Sequence, residues 1–290
     1  MSSFEFEDLF DVRAAGMTPM DEAYWRTEPL GLKKGVMGYR TETLKAGPRL
    51  EATVYPLFGR NETARIRKVK QNQTRIQVEN NNRERSIRHL VQLVDANFGP
   101  DDIKLDLTYG GSEPTWEQCK NDVKKFIGKL RRLRKKRGLP ELKYVYVIED
   151  SDEDGTKVRP HAHMILNAGI GLKELEQIWK KGLTKAEYLQ PSGEGLEGRV
   201  RYMVKSQRRK GKRKWGASRN LKQPKVRISN TKVSNAKIRT IARGFEAEAK
   251  EIMEKIYPGY DYVRTTIRYS DYTDGVMIRV LMREREARRR

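Results

Sequence analysis

Hydrophobic and polar positions alternate in two stretches on either side of Gly47-Pro48, within residues 39–57. A period of two is typical of half-buried strands, so this segment predicts a β-hairpin. Residues 262–270 and 275–283 predict a second hairpin, broken by a turn at Asp274-Gly275. Residues 1–35 show no clear periodicity and contain several prolines and glycines, which predicts an irregular arm.

Two segments show helical spacing. Apolar residues at three- and four-residue intervals predict a helix over 87–98 that stops before Gly99-Pro100. Thr115 and Gln118 predict a capping box at the start of the second helix. The apolar stripe of that helix is Trp116, Val123, Phe126, Ile127, Leu130 and Leu133. Its outer face and C-terminal end are basic, which fits either a solvated, dipole-matched helix end or direct contact with DNA. These cations are Lys124, Lys125, Lys129, Arg131, Arg132, Arg134, Lys135, Lys136 and Arg137.

The centre of the chain carries three predicted strands. Residues 103–109 alternate strictly, and residues 144–149 are rich in β-branched and aromatic side chains. Residues 161–166 form the next predicted strand. We expect the last two to be antiparallel neighbours across an acidic loop. A short amphipathic helix, with Leu172, Leu175, Ile178 and Trp179 inward, then leads through a Pro/Gly-containing loop to a helical segment at 198–207. A further helix is predicted at about 235–257.

The composition allows a packed core, because 37% of the 290 residues are hydrophobic. The longest apolar runs are too short to cross a bilayer, and the acidic, aromatic N-terminus does not resemble a secretory signal. We therefore expect a cytoplasmic protein without a membrane partner. The single cysteine, Cys119, excludes an internal disulfide and a multi-cysteine zinc site, and its helical pattern predicts a small packing residue.

The charge balance indicates a polyanionic partner. Lys plus Arg number 61 against 39 Asp plus Glu, a formal net charge of +22. Such a field favours nucleic acid, with binding that weakens as salt rises. A membrane surface is the alternative, but no amphipathic helix presents an obviously lipid-seeking aromatic face.

Two of the three histidines, His161 and His163, lie two residues apart on a predicted strand. Period-two alternation places both imidazoles on one face, where they can share a metal ion, while Ala162 and Met164 pack on the other. A strand that exposes two unrelated histidines is the alternative. The third ligand should be an oxygen donor on a neighbouring strand, and we favour Glu149 over Asp106.

Tyr202 and Lys205 follow some forty residues later, and three-residue spacing puts them on one face if the segment is helical. A tyrosine hydroxyl is protonated at neutral pH and needs a nearby cation to attack a phosphodiester, which Lys205 can supply. Transesterification conserves the phosphoester bond, so nicking and joining need no ATP. The sequence contains no GxxxxGK[ST] motif, so we expect no ATPase or helicase module. The alternative is a core tyrosine beside a surface lysine.

A basic stretch directly follows this pair and predicts contacts with DNA phosphates, although a solvated loop has the same composition. Its members are Arg208, Arg209, Lys210, Lys212, Arg213 and Lys214. We also expect Arg201 and Arg219 to contact DNA.

Three motifs together resemble those of rolling-circle replication initiators of the HUH endonuclease superfamily, most closely those of filamentous phages, prophages and small plasmids. They are DLTYGG at 106–111, PHAHMIL at 160–166 and RYMVKS at 201–206. WGASRNLK at 215–222 is similar to sequence that follows the tyrosine in the phage-type proteins. The resemblance covers about residues 100–225.

The resemblance implies an α+β fold of the ferredoxin-like kind, with a central antiparallel sheet flanked by helices. It divides the chain into an N-terminal extension (1–99), an endonuclease core (100–228) and a C-terminal helix with hairpin (229–290). It also implies Mg²⁺ or Mn²⁺ as cofactor and a 5′-phosphotyrosine intermediate at a replication origin in single-stranded DNA. A host helicase and polymerase would be partners in a bacterial cell.

Motif details narrow the expected mechanism. Gly198 stands one turn before Tyr202, so a one-tyrosine mechanism is expected. The histidines precede the tyrosine, whereas conjugative relaxases resemble the reverse order. A transposase or mobilisation protein with the same chemistry, and a non-catalytic basic DNA-binding protein, are the alternatives.

Overall fold

A computed structural model describes residues 36–61, 63, 75–152, 156–205, 215–243, 246–269 and 275–285. The predicted arm at 1–35, the basic stretch at 208–214 and Asp274 of the predicted turn lie outside these residues. The chain divides into two compact units. The terminal unit comprises Met1–Ser86 with Pro224–Arg290, and the central unit comprises Ile87–Gln223. The three-part division implied by the resemblance stays a prediction.

The described residues form ten strands and six helices. The strands are β1 (Val36–Ala46), β2 (Arg49–Phe58), β3 (Ile103–Leu107), β4 (Tyr144–Ser151), β5 (Lys157–Leu166), β6 (Thr184–Tyr188), β7 (Trp215–Ala217), β8 (Lys225–Ser229), β9 (Tyr260–Tyr269) and β10 (Val276–Glu284). The helices are α1 (Arg75–Asn97), α2 (Trp116–Lys136), α3 (Leu172–Trp179), α4 (Glu197–Val204), α5 (Asn235–Ala242) and α6 (Glu246–Ile256).

The terminal unit is an antiparallel sheet in the order β8-β1-β2-β10-β9. Both predicted hairpins are confirmed, and the pairing of β2 with β10 joins them, with Ile278 opposite Val54. Helices α5 and α6 contribute Ile238, Ile241 and Met253 to the core against this sheet. The prediction of one helix over 235–257 is wrong, because α5 ends at Ala242 and α6 begins at Glu246. Gly244 stands between them in the sequence, and glycine is a poor helix former.

The central unit is a second antiparallel sheet, in the order β6-β3-β5-β4-β7. The three predicted strands are its centre, and β4 and β5 are antiparallel neighbours as expected. The predicted loop before α4 contains the edge strand β6, none of whose side chains is fully buried. Its sequence therefore lacks the apolar alternation of a half-buried strand, and only its pairing with β3 reveals it.

Helices cover both faces of the central sheet, which confirms the predicted α+β class. Ile103, Leu105 and Leu107 of β3 pack with α2 and α3 on one face. Val145, Val147 and Ile165 pack with α4 and the part of α1 from Ile87 onward on the other. We call these the α2 face and the α4 face.

The start of α2 is the predicted capping box. The Thr115 hydroxyl accepts from the Gln118 backbone N–H, and the Gln118 side chain accepts from the Thr115 backbone N–H. Cys119 is fully buried, as predicted, and burial raises the pKa of its thiol to about 11. Within the described ranges, no helix has the length and apolarity needed to span a membrane.

Candidate metal and nucleophile site

His161 and His163 lie on β5 and both point to the α4 face. Their ring centroids are 4.9 Å apart with the planes nearly perpendicular. Ala162 and Met164 are fully buried in the core on the α2 face, as the alternation predicts. The His161 side chain is 25% exposed and that of His163 is 9% exposed, so the pair opens to solvent on the His161 side.

The Nδ1 atoms of both histidines have hydrogen-bond acceptors. His161 Nδ1 lies 2.9 Å from the backbone carbonyl oxygen of Arg159, and His163 Nδ1 lies 2.6 Å from Asp106 Oδ1. A carbonyl and a carboxylate can only accept, so each Nδ1 carries the proton. In the neutral ring each Nε2 then has a free lone pair, which is the arrangement that metal-bound histidines use.

Both Nε2 atoms point to Glu149, which the register of β4 and β5 places opposite His161. Glu149 Oε2 lies 3.2 Å from His163 Nε2 and 3.6 Å from His161 Nε2. The potential ligand atoms of these three residues all lie within 4.8 Å of one another. Two imidazole nitrogens and one carboxylate oxygen make a donor set that fits a divalent cation such as Mn²⁺. Asp106 contacts the opposite edge of the His163 ring, which supports Glu149 as the third ligand.

The electrostatics of the site favour the protonated, positively charged form of His163. Burial alone would lower the pKa of His163, but hydrogen bonds to Asp106 and Glu149 raise it to about 9. Burial tends to raise the pKa of Asp106, but His163 and Lys104 together lower it. His163 is therefore protonated on both ring nitrogens at neutral pH, with Nδ1–H facing Asp106 and Nε2–H facing Glu149.

Asp106 is itself fixed by a buried lysine. Lys104 Nζ lies 2.7 Å from Asp106 Oδ2 and 3.2 Å from Glu187 Oε1 on β6. Arg199 of α4 lies 3.7 Å from the same Glu187 oxygen. A chain of alternating charges thus connects His163 to the helix that carries the tyrosine.

Tyr202 lies on α4, which packs on the sheet through the buried side chains of Val200, Met203 and Val204. The Tyr202 side chain is 53% exposed, and its ring centroid lies 6.4 Å from that of His163. Lys205 Nζ lies 5.1 Å from the centre of the Tyr202 ring, which confirms that positions 202 and 205 share a face. The structure therefore brings histidines, carboxylate, tyrosine and lysine to one face of one sheet.

The loop after β3 is held against this sheet by backbone contacts. The Gly110 N–H donates to the carbonyl of Lys181, and a Cβ on Gly182 would overlap the backbone of Gly110. Arg159 donates to the carbonyl of Gly111 at 2.6 Å. A glycine at position 182 allows this close approach of the two chain segments.

Most of the predicted DNA contacts lie outside the described residues. Of the two that are described, Arg201 donates through Nε to Glu197 Oε1 at 2.8 Å, and Arg219 is exposed and lines a basic cavity. Sequence reasoning missed the roles of Lys104 and Glu187. The only signal was a lysine two residues before Asp106, which alternation puts on the same face.

Residues 103–208 match the family model of the replication-associated protein ORF2. The match contains β3, the histidine pair and the tyrosine helix, and it covers less than half of the 290 residues. It supports a role in the initiation of replication. No curated protein and no solved structure matches the chain significantly.

Proposed function

We propose that this protein is a rolling-circle replication initiator of the HUH endonuclease type, which nicks and rejoins single-stranded DNA at an origin. One observation carries the proposal. Two histidines whose Nε2 atoms converge on Glu149 lie on the same sheet face as the exposed Tyr202, inside the segment that matches the replication-associated family.

Glu149, His161 and His163 would hold Mg²⁺ or Mn²⁺. The bound cation would neutralise charge on the scissile phosphate and polarise it toward attack. Asp106 orients His163 by accepting a hydrogen bond from its Nδ1–H, and the Arg159 carbonyl does the same for His161. Both ligand rings are thereby kept in the tautomer that binds metal.

Tyr202 is the nucleophile in this mechanism. Its phenolic oxygen forms a bond to phosphorus, the bond from phosphorus to the 3′ oxygen breaks, and the 3′ hydroxyl leaves with a proton. The phenol proton passes to solvent, and the 5′ phosphate remains attached to Tyr202. The Lys205 ammonium, beside the ring, stabilises the negative charge that develops during attack. A 3′ hydroxyl reverses the same step, which rejoins the strand without ATP.

The helix sequence favours a single nucleophile. Gly198 occupies the position one turn before Tyr202, and α4 carries no other tyrosine. Each cycle would then use the same residue for cleavage and for joining. A host helicase would unwind the duplex, and a host polymerase would synthesise the new DNA strand.

The test is a covalent adduct assay. The protein is incubated with Mn²⁺ and single strands tiled across the replicon that encodes it, and adducts are separated on a denaturing gel. Wild type should give an adduct, Tyr202→Phe none, and a chelator should abolish it. Tyr188→Phe is the control, because Tyr188 is 56% exposed and Tyr202 is 53% exposed. No wild-type adduct on any strand, or equal adduct from Tyr202→Phe, would overturn the proposal.

The same assay separates the two carboxylates. Glu149→Ala should lose cleavage because it removes a ligand oxygen. Asp106→Ala should retain partial activity, since it removes only the partner of the His163 Nδ1 atom. The reverse order would make Asp106 the third ligand.

A further inference from the structure

A groove lies on the α2 face of the central sheet, opposite the face that carries the metal cluster. It is a cavity of about 620 Å³ between α2 and strands β4 and β7. Its floor is Tyr144, Tyr146 and Ile148 of β4 with Gly216 of β7, and its wall is a stripe of α2. The wall residues recur at helical spacing and are Trp116, Lys120, Lys124, Ile127 and Arg131. We call this cavity the α2 groove.

The floor of the α2 groove is aromatic. The rings of Tyr144 and Tyr146 are stacked, with centroids 6.2 Å apart and planes 29° from parallel. Gly216 lies opposite Tyr146 on the edge strand, and a Cβ at Gly216 would overlap the Tyr146 ring. Glycine at this position lets the tyrosine ring lie across the edge strand, which widens the aromatic surface.

Cations lie directly beside these rings. Lys120 Nζ is 4.9 Å from the centre of the Trp116 ring, and the Arg131 guanidinium is 5.6 Å from the centre of the Tyr144 ring. The wall thus offers a positive charge next to Trp116 and another next to Tyr144. A pocket for an apolar ligand or an apolar protein segment would not need these charges.

A second basic cavity continues the groove toward the end of α2. Its volume is about 690 Å³, and it shares Arg131 with the first cavity. It adds Lys135 and Arg219 to the cations, while Glu117 and Glu141 are the acidic residues that line the two cavities. From Trp116 to Lys135 the helix is roughly 29 Å long at about 1.5 Å per residue. That length accommodates several nucleotides of an extended strand.

We infer that the α2 groove binds single-stranded DNA, with bases stacked on the partly exposed rings of Trp116 and Tyr146 and phosphates paired with Lys120, Lys124 and Arg131. Interleaved aromatic rings and cations match a polymer that carries a flat base and one negative charge per unit. This inference rests on the proposed function, which identifies the polymer as single-stranded DNA. Because the groove and Tyr202 are on opposite faces, the groove binds a part of the DNA strand away from the scissile phosphate. It therefore contributes to the affinity for DNA and does not change the rate of strand cleavage.

Charge reversal on α2 tests this inference with a matched control. Lys120→Glu/Lys124→Glu places two acids in the groove, whereas Lys125→Glu/Lys129→Glu makes the same charge change at exposed positions of the same helix that line neither cavity. Binding of a fluorescent oligodeoxythymidylate is measured by anisotropy in a chelator, with circular dichroism as a check of the fold. The groove variant should lose at least about tenfold in affinity and the control less than about threefold.

Photo-cross-linking tests the stacking contacts separately from the affinity measurement. An oligodeoxythymidylate that contains 5-iodouridine is cross-linked by light and the modified peptides are mapped by mass spectrometry. Cross-links should fall on the peptides of Trp116 and Tyr146. Equal loss of affinity in the two double variants, or cross-links only elsewhere, would overturn the inference. These measurements use no metal and involve no DNA cleavage. A negative nicking assay can therefore be distinguished from a negative result for DNA binding in the α2 groove.

Discussion

The hydrogen bond between Asp106 and His163 leads to the sharpest prediction. Asp106→Asn keeps the size of the side chain and removes its negative charge. The asparagine amide would either present its NH₂ to Lys104, a donor facing a donor, or present it to the Nδ1 proton of His163. Either orientation loses one of the two contacts, at 2.6 Å and 2.7 Å, that Asp106 now makes.

The size of the effect follows from the contact of Asp106 with His163, which is a proposed metal ligand. Loss of a partner that orients a metal-bound histidine typically costs about 10- to 100-fold in metal affinity. This corresponds to about 1.4–2.7 kcal/mol of binding free energy. Removal of a ligand, as in His163→Ala, should cost considerably more, because one coordinate bond disappears altogether.

Mn²⁺ affinity is measured by electron paramagnetic resonance or calorimetry at constant pH. Glu187→Gln is the control, since it changes the other partner of Lys104 and leaves the His163 contact in place. We expect less than about a threefold change in that variant. Wild-type affinity in Asp106→Asn, together with lost binding in Glu149→Ala, would show that Asp106 does not orient the ligand. A loss as large as that of His163→Ala would instead identify Asp106 as a ligand.

Four further predictions concern protons and stability. Since the pKa of His163 is raised to about 9, metal must displace a proton, and apparent Mn²⁺ affinity should rise about tenfold per pH unit from 6.5 to 9. The protonated ring also stabilises the metal-free protein, so its melting temperature should fall as pH rises from 6.5 to about 9; a flat calorimetric profile over that range would contradict this. Arg134→Met should lower the free energy of unfolding in urea by about 3 kcal/mol or more, because the buried guanidinium donates to three backbone carbonyls; a change under about 1 kcal/mol would refute that assignment. Gly182→Ala should lower the melting temperature through overlap with Gly110, whereas Gly193→Ala, with open space around it, should not.

Local patterns in the sequence predicted most elements of this fold. Alternation identified both hairpins and β3, β-branched and aromatic content identified β4, and the Thr115–Gln118 pair marked the start of α2. These signals depend on neighbours within a few residues, which the sequence lists directly. The edge strands β6 and β7 were missed because hydrogen bonds to a distant strand, and not their own side-chain pattern, make them strands.

The partners of the hairpins were beyond sequence reasoning for the same reason. Alternation shows that a strand has a buried face, but it does not show which other strand covers its edge. The two hairpins looked like separate extensions at the two ends of the chain. Only the tertiary structure decides that β2 and β10 pair and that both belong to one sheet.

The candidate site divides in the same way. The two-residue spacing of His161 and His163 determined that both rings share a face, and the three-residue spacing of Tyr202 and Lys205 did so on the helix. The sequence left Glu149 and Asp106 as competing ligands, since both lie on strands that neighbour the histidines. The strand register distinguishes the two carboxylates. It pairs Glu149 of β4 with His161 on one side of β5, and Asp106 of β3 with His163 on the other side. Spacing along the chain therefore determined which residues face together, and the long-range pairing of strands decided which atoms meet.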